Sequence, residues 1–149
     1  MLSPLGVLYV YGFWIALPLT CLAAFLWGGR IERVMSLVFL LALVATTAVL
    51  RSYADPFSST RIALATVDCV VLLALLVAAT KSSRGWLIWA SAFQVIATTA
   101  HLSRLMVPDL SRLAYGLMEG ASGWPVLLAL MTGIWRHHHR SRANDASAS

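Results

Sequence analysis

Charge is what this sequence has least of. Asp, Glu, Lys and Arg make up 11% of its 149 residues, against about 25% in soluble domains. Hydrophobic residues make up 60%, and the mean hydropathy is +0.80. A soluble chain of this length must leave a large share of its residues facing water, which this composition does not allow. Lipid removes the difficulty. Cysteine is scarce as well: Cys21 and Cys69 stand alone in apolar runs, with no Cys-x-x-Cys spacing to signal a metal site or a redox motif. They read as small buried hydrophobes. There is no Gly-rich phosphate loop and no metal-ligand string, so no cofactor and no metal is expected. A positively charged leader is missing too. Met1-Leu2-Ser3-Pro4 precedes an apolar run too long for the core of a signal peptide and without a small-residue cleavage site, so that run reads as a retained first span.

What is there is a series of apolar runs separated by short turns. Spans are expected over residues 5–27, 34–50, 62–80, 86–105 and 113–135, followed by a basic, disordered tail over 136–149. Each span needs about 20 residues, so five of them leave no room for a soluble catalytic domain. The expected fold is therefore a single all-α membrane domain, a bundle of five transmembrane helices. Turn residues mark the breaks. They are Gly28-Gly29, Asp55-Pro56 with Ser58-Ser59-Thr60, Ser82-Ser83, and Pro108-Asp109, with Asp109 placed to cap the last helix.

Net charge is +5. The basic residues flank the apolar runs and are not interleaved with aromatics, which excludes a nucleic-acid reader. Counted on alternate sides, Arg30, Arg33, Lys81, Arg84, Arg136, Arg140 and Arg142 fall on one face and Arg51, Arg61, Arg104 and Arg112 on the other. The richer side is expected to be cytoplasmic, with the N-terminus outside and the C-terminus inside. Tyr9, Trp27, Trp86, Trp89 and Trp135 lie near span ends, where interfacial aromatics sit. His137-His138-His139 has no accompanying ligand types and reads as a solvated flank rather than a metal site.

Polar residues within the spans are the informative ones, because lipid drives them toward the bundle interior. Ser91, Gln94, Thr98 and His101 are spaced three, four, three, which is one helix face. Arg112, Tyr115, Glu119 and Ser122 repeat that spacing on the last span, Asp68 interrupts the third, and Thr46 and Thr47 sit on the second. At 1.5 Å per residue, Asp68 and Glu119 lie about 9 Å, and His101 and Thr46 about 6 Å, from their outer span ends. Asp68, Gln94, Thr98, His101, Arg104, Tyr115, Glu119 and Ser122 thus form a candidate polar cluster in the outer half of the bilayer. Arg61, His101 and Arg104 are the expected partners of Asp68, and His101 is expected to meet Glu119 across the turn near residues 108–111. Two readings compete: interhelical hydrogen bonds that hold the bundle, and a ligand or ion site.

Gly116 and Gly120 form a Gly-x-x-x-Gly pair that admits a close helix neighbour. Gly123 extends that small-residue face, and Pro125 is expected to kink the helix beside it. Gly120-Ala121-Ser122-Gly123 matches the Gly-x-Ser-Gly string of rhomboid-type intramembrane proteases, where a histidine on a later span activates the serine. Here the only span histidine, His101, comes earlier and no sixth span follows, so an intramembrane hydrolase is a distant reading. A haem bundle would need paired histidines. From Trp86 to Gly120, through His101-Leu102-Ser103-Arg104, Pro108-Asp109-Leu110 and Ala114-Tyr115, the chain resembles short multi-pass inner-membrane proteins of alphaproteobacteria. That resemblance implies a bacterial inner membrane and no known activity. The leading expectation is a non-enzymatic accessory or interaction subunit, packing through Gly116, Gly120 and Gly123 against a larger complex or a second copy. The alternative is a small proton- or ion-coupled transporter or sensor built on Asp68, His101 and Glu119.

Overall fold

The computed structural model is all-helical. It describes residues 4–52, 59–106 and 112–147, with side chains over 11–51, 62–103 and 123–143. Five helices follow in order: α1 (Pro4–Trp27), α2 (Arg30–Ser52), α3 (Ser59–Lys81), α4 (Gly85–Met106) and α5 (Arg112–Ser147). Each packs on the next, and α5 returns to α1, so the bundle closes into a ring.

The α1–α2 connection is only Gly28-Gly29, and its chemistry explains why α2 starts at Arg30 and not at residue 34. The Gly28 N–H donates to the Ala24 carbonyl at 2.9 Å. A Cβ on Gly28 would stand 2.4 Å from that oxygen, so only glycine fits. Gly29 is the N-cap, and Glu32, three residues on, accepts from the Gly29 N–H at 3.1 Å through Oε2, the backward half of a capping box. The next tight turn joins α3 to α4, where the Leu87 N–H donates to the Arg84 carbonyl at 3.0 Å.

The tail expected to be disordered is helical instead, with α5 running through Ser147. Residues 136–147 contain neither glycine nor proline. Extending a helix that is already packed needs no new nucleus. Pro125 lies inside α5 and Pro18 inside α1, and both helices continue through them. The capping role expected of Asp109, and the turn chemistry at Asp55-Pro56, fall outside the described residues.

Two of the helices are long and apolar enough to cross a membrane among the described residues, Arg30–Arg51 and Ile62–Lys81, and Tyr11–Trp27 forms a shorter apolar helix. The bundle is markedly apolar outside, and several polar groups lie within its apolar core. Leu19, Leu41, Val44, Leu73, Ile88 and Leu128 are exposed, whereas Glu32, Ser36, Ser91, Gln94 and Thr98 are buried.

The bundle has two unlike halves. At the end holding the α1–α2 and α3–α4 turns, Cys21, Ala24, Met35, Leu75, Leu87 and Leu130 pack into a solvent-free core. Toward the opposite end the helices surround a cavity of about 410 Å³.

Candidate functional site

All five helices contribute to the cavity wall. Phe13 and Leu17 come from α1, Phe39 and Leu43 from α2, Val71 from α3, and Val126 and Leu127 from α5. The α1–α5 seam is closed by aromatics, with Phe13 and Trp124 edge to face at 6.0 Å between centroids. Gly123 makes this possible, because a Cβ there would come within 2.9 Å of the Phe13 ring. Gly123, expected to face a partner, is thus used inside the chain.

Polar groups gather on the α3–α4 wall. Gln94 Nε2 donates to Asp68 Oδ1 at 3.0 Å. His101 Nε2 lies 3.0 Å from Asp68 Oδ2. Both carboxylate oxygens are therefore engaged by α4, and Asp68, Gln94, His101 and Thr46 all line the cavity. The geometry follows from helix periodicity. Gln94 and His101 are seven residues apart, two turns of one helix, and they grip Asp68 from either side.

The polar stripe of α4 does face inward, with Ser91, Gln94 and Thr98 buried, but its members have two different jobs. Ser91 donates to the Leu87 carbonyl at 2.8 Å and Thr98 to the Gln94 carbonyl at 2.9 Å. These hydroxyls satisfy themselves within their own helix. Only Gln94 and His101 reach across to α3. On α2, Thr47 likewise bonds back to the Val44 carbonyl, while Thr46 lines the cavity. Of the expected Asp68 partners the structure places His101 there. The side chains of Arg61, Arg104, Tyr115, Glu119 and Ser122, and the surroundings of Gly116 and Gly120, lie outside the described side chains, as does the expected His101–Glu119 contact.

A second polar cluster, at the other end, escaped the sequence reading. Glu32 has no exposed side-chain surface and pairs with Arg84 through Oε1. The same oxygen accepts from Trp86 Nε1 at 3.1 Å, and Oε2 takes the Gly29 N–H. The Trp86 indole comes close to α5 because residue 133 is glycine: a Cβ there would stand 2.6 Å from Nε1. Ser36 donates to the Glu32 carbonyl at 2.7 Å. One buried carboxylate thereby fastens α2 to the α3–α4 turn, to α4 and, through Trp86, to α5. Its signal in the sequence was a glycine N-cap followed by glutamate at the third helical position.

Two of the three tail histidines also pack against α1 and its turn. His137 lies within 3.0 Å of where a Gly29 Cβ would stand, and His138 meets Trp27 edge-on at 6.4 Å. Among the described residues no group of His, Cys, Asp and Glu could hold a metal ion. A polar end in an apolar cavity can orient a small molecule by its head while the body is held by packing. No family model, no curated protein and no solved structure matches this chain.

Proposed function

We propose that this chain is a five-span protein of a bacterial inner membrane, N-terminus outside and C-terminus cytoplasmic, with no catalytic activity. Its outer half binds a small amphipathic ligand that carries a cationic or hydrogen-bond-donating head, as a sensor or a small coupled transporter does. The observation that carries this reading is the cavity of about 410 Å³ with a carboxylate, an amide and an imidazole on one wall. Its size falls within the usual range of ligand sites, about 300–1,000 Å³. The membrane setting is supported by the apolar exterior and by the two helices long and apolar enough to cross a bilayer. The seven-to-four bias of the basic residues supports the orientation.

Asp68 sets the head-group preference. With His101 neutral, the carboxylate is the one formal charge among the described lining residues, and it favours a cation. With His101 protonated, the two neutralise one another and the cation loses its counter-charge. The test compares octylammonium with octanoate on the purified protein in lipid nanodiscs. Octylammonium should raise the melting temperature, octanoate should not, and Asp68→Asn should abolish the difference. Equal responses to the two probes, or an undiminished preference in Asp68→Asn, would sink the reading.

A further inference from the structure

Beyond the Asp68 cavity, a second recess opens at the other end of the bundle. It is small, about 90 Å³, and is lined by Ser83, Arg84, Gly85 and Trp86 from the start of α4 and its turn, and by Gly133, Arg136 and Arg140 from α5. Three arginines converge there, and no carboxylate lines the recess. The carboxylate that lies nearest in the bonding scheme, Glu32, sits behind Trp86 and is already occupied by Arg84, Trp86 and the Gly29 N–H. The positive charge of Arg84 is thereby balanced, and those of Arg136 and Arg140 are not balanced by any described side chain. Arg140 Nε donates to the Arg136 carbonyl at 3.3 Å, which folds its side chain back along α5, and both arginines line the recess. The contact of Arg84 with Glu32 uses Nη1, while a guanidinium has five N–H donors in all.

We infer that this recess binds a phosphate group, and that in the membrane it holds the phosphodiester of an anionic phospholipid; this second step rests on the membrane reading above. Arginine forks match phosphate oxygens in geometry as well as charge. The volume admits a single tetrahedral oxyanion and excludes a sugar or a nucleotide. Gly133 keeps the α5 wall low, and the Ser83 hydroxyl adds a neutral donor. The level in the bilayer is right as well. Trp135, directly before Arg136, and Trp89, one turn into α4, are exposed side chains of the kind that settle at the headgroup level. Zwitterionic lipids present the same phosphate together with an ammonium, which the two unbalanced arginines repel.

The test uses the full chain, purified in mild detergent and followed by native mass spectrometry. Phosphatidylglycerol and phosphatidylcholine with matched acyl chains are titrated separately. Wild type should retain phosphatidylglycerol preferentially. Arg136→Gln/Arg140→Gln should weaken that retention about fivefold per arginine. Arg30→Gln/Arg33→Gln removes the same charge from the same end without touching the recess, since both are exposed and neither lines it. Its retention should stay near wild type. Inorganic phosphate is the second arm. Millimolar phosphate that raises the melting temperature in wild type but not in Arg136→Gln/Arg140→Gln supports the same site with a free-phosphate source. Equal retention of the two lipids together with no phosphate response overturns the inference. So does an equal loss in both double variants, which marks diffuse charge attraction. Recovery of the chain in the soluble fraction without detergent would instead refute the membrane reading.

Discussion

Arg84→Ala should be among the most damaging single changes in the described part of the chain. Glu32 is 0% exposed whereas Arg84 keeps 28% of its side-chain surface, so the two partners are not equivalent when the other is removed. Without Arg84 the carboxylate retains two neutral donors, Trp86 Nε1 and the Gly29 N–H, and loses its opposite charge. Breaking a buried pair in this way costs about 3–5 kcal/mol. Without the carboxylate charge, Arg84 can turn outward, so Glu32→Gln loses hydrogen-bond strength alone, about 1–2 kcal/mol. The expected order is therefore Arg84→Ala well below Glu32→Gln, with Glu32→Gln/Arg84→Met recovering most of the Arg84→Ala loss. Melting in detergent, followed by fluorescence-detected size exclusion, reads all three. At about 2–4 °C per kcal/mol for a chain near this size, Arg84→Ala should fall by about 6 °C or more. A melting temperature for Arg84→Ala within about 1 °C of wild type would refute the reasoning. So would a double variant no better than the single, because residues in direct contact should not add.

Gly133→Ala should cost about 1–3 kcal/mol by overpacking against the Trp86 ring, and the same change in a Trp86→Leu background should cost little; equal penalties in both backgrounds would show that the indole is not the obstacle. Asp68→Asn should melt above Asp68→Leu by about 1 kcal/mol or more, because the amide keeps partners in Gln94 and His101; equal melting would mean that the carboxylate has no such partners. Ala42→Leu places added carbons in the cavity that Ala42 lines, and should raise stability by about 0.5–2 kcal/mol while blunting the octylammonium response; a drop in stability would mean the space is already filled by packing. A reporter fused after Ser149 should be cytoplasmic and one inserted near Ser58 external, and a cytoplasmic signal at Ser58 would reverse the assigned depth of Asp68.

The helices were legible because their apolar runs are long and their breaks carry turn residues. The inward face of α4 was legible for the same kind of reason: Ser91, Gln94, Thr98 and His101 repeat at helical spacing, on a helix whose other positions are largely apolar. Spacing could not say which of the four would reach across to Asp68. That depends on length. The Ser91 and Thr98 hydroxyls are short enough to close on the carbonyl four residues back, whereas the Gln94 amide and the His101 ring extend to α3. Glu32 was missed because its burial is a tertiary effect. Local sequence shows an acid between two arginines, and only the folding of the α3–α4 turn against α2 brings Arg84 and Trp86 onto it, more than fifty residues away. The length of α5 is not legible from composition, because its polar end matches a disordered tail, whereas a helix anchored by Leu130 and Ile134 carries polar residues beyond the core.

The two halves of the bundle answer to different physics, and this bears on where binding can occur. At the Glu32 end, a buried ion pair and a solvent-free core fix the helices at close spacing, which leaves the small recess beside Arg84, Arg136 and Arg140 for an occupant. At the Asp68 end mostly apolar side chains surround about 410 Å³. An occupant whose body fills that space gains burial of apolar surface and packing contacts. The head group then needs only to choose among occupants. Asp68, held by Gln94 and His101 at the edge of that space, is placed to make the choice.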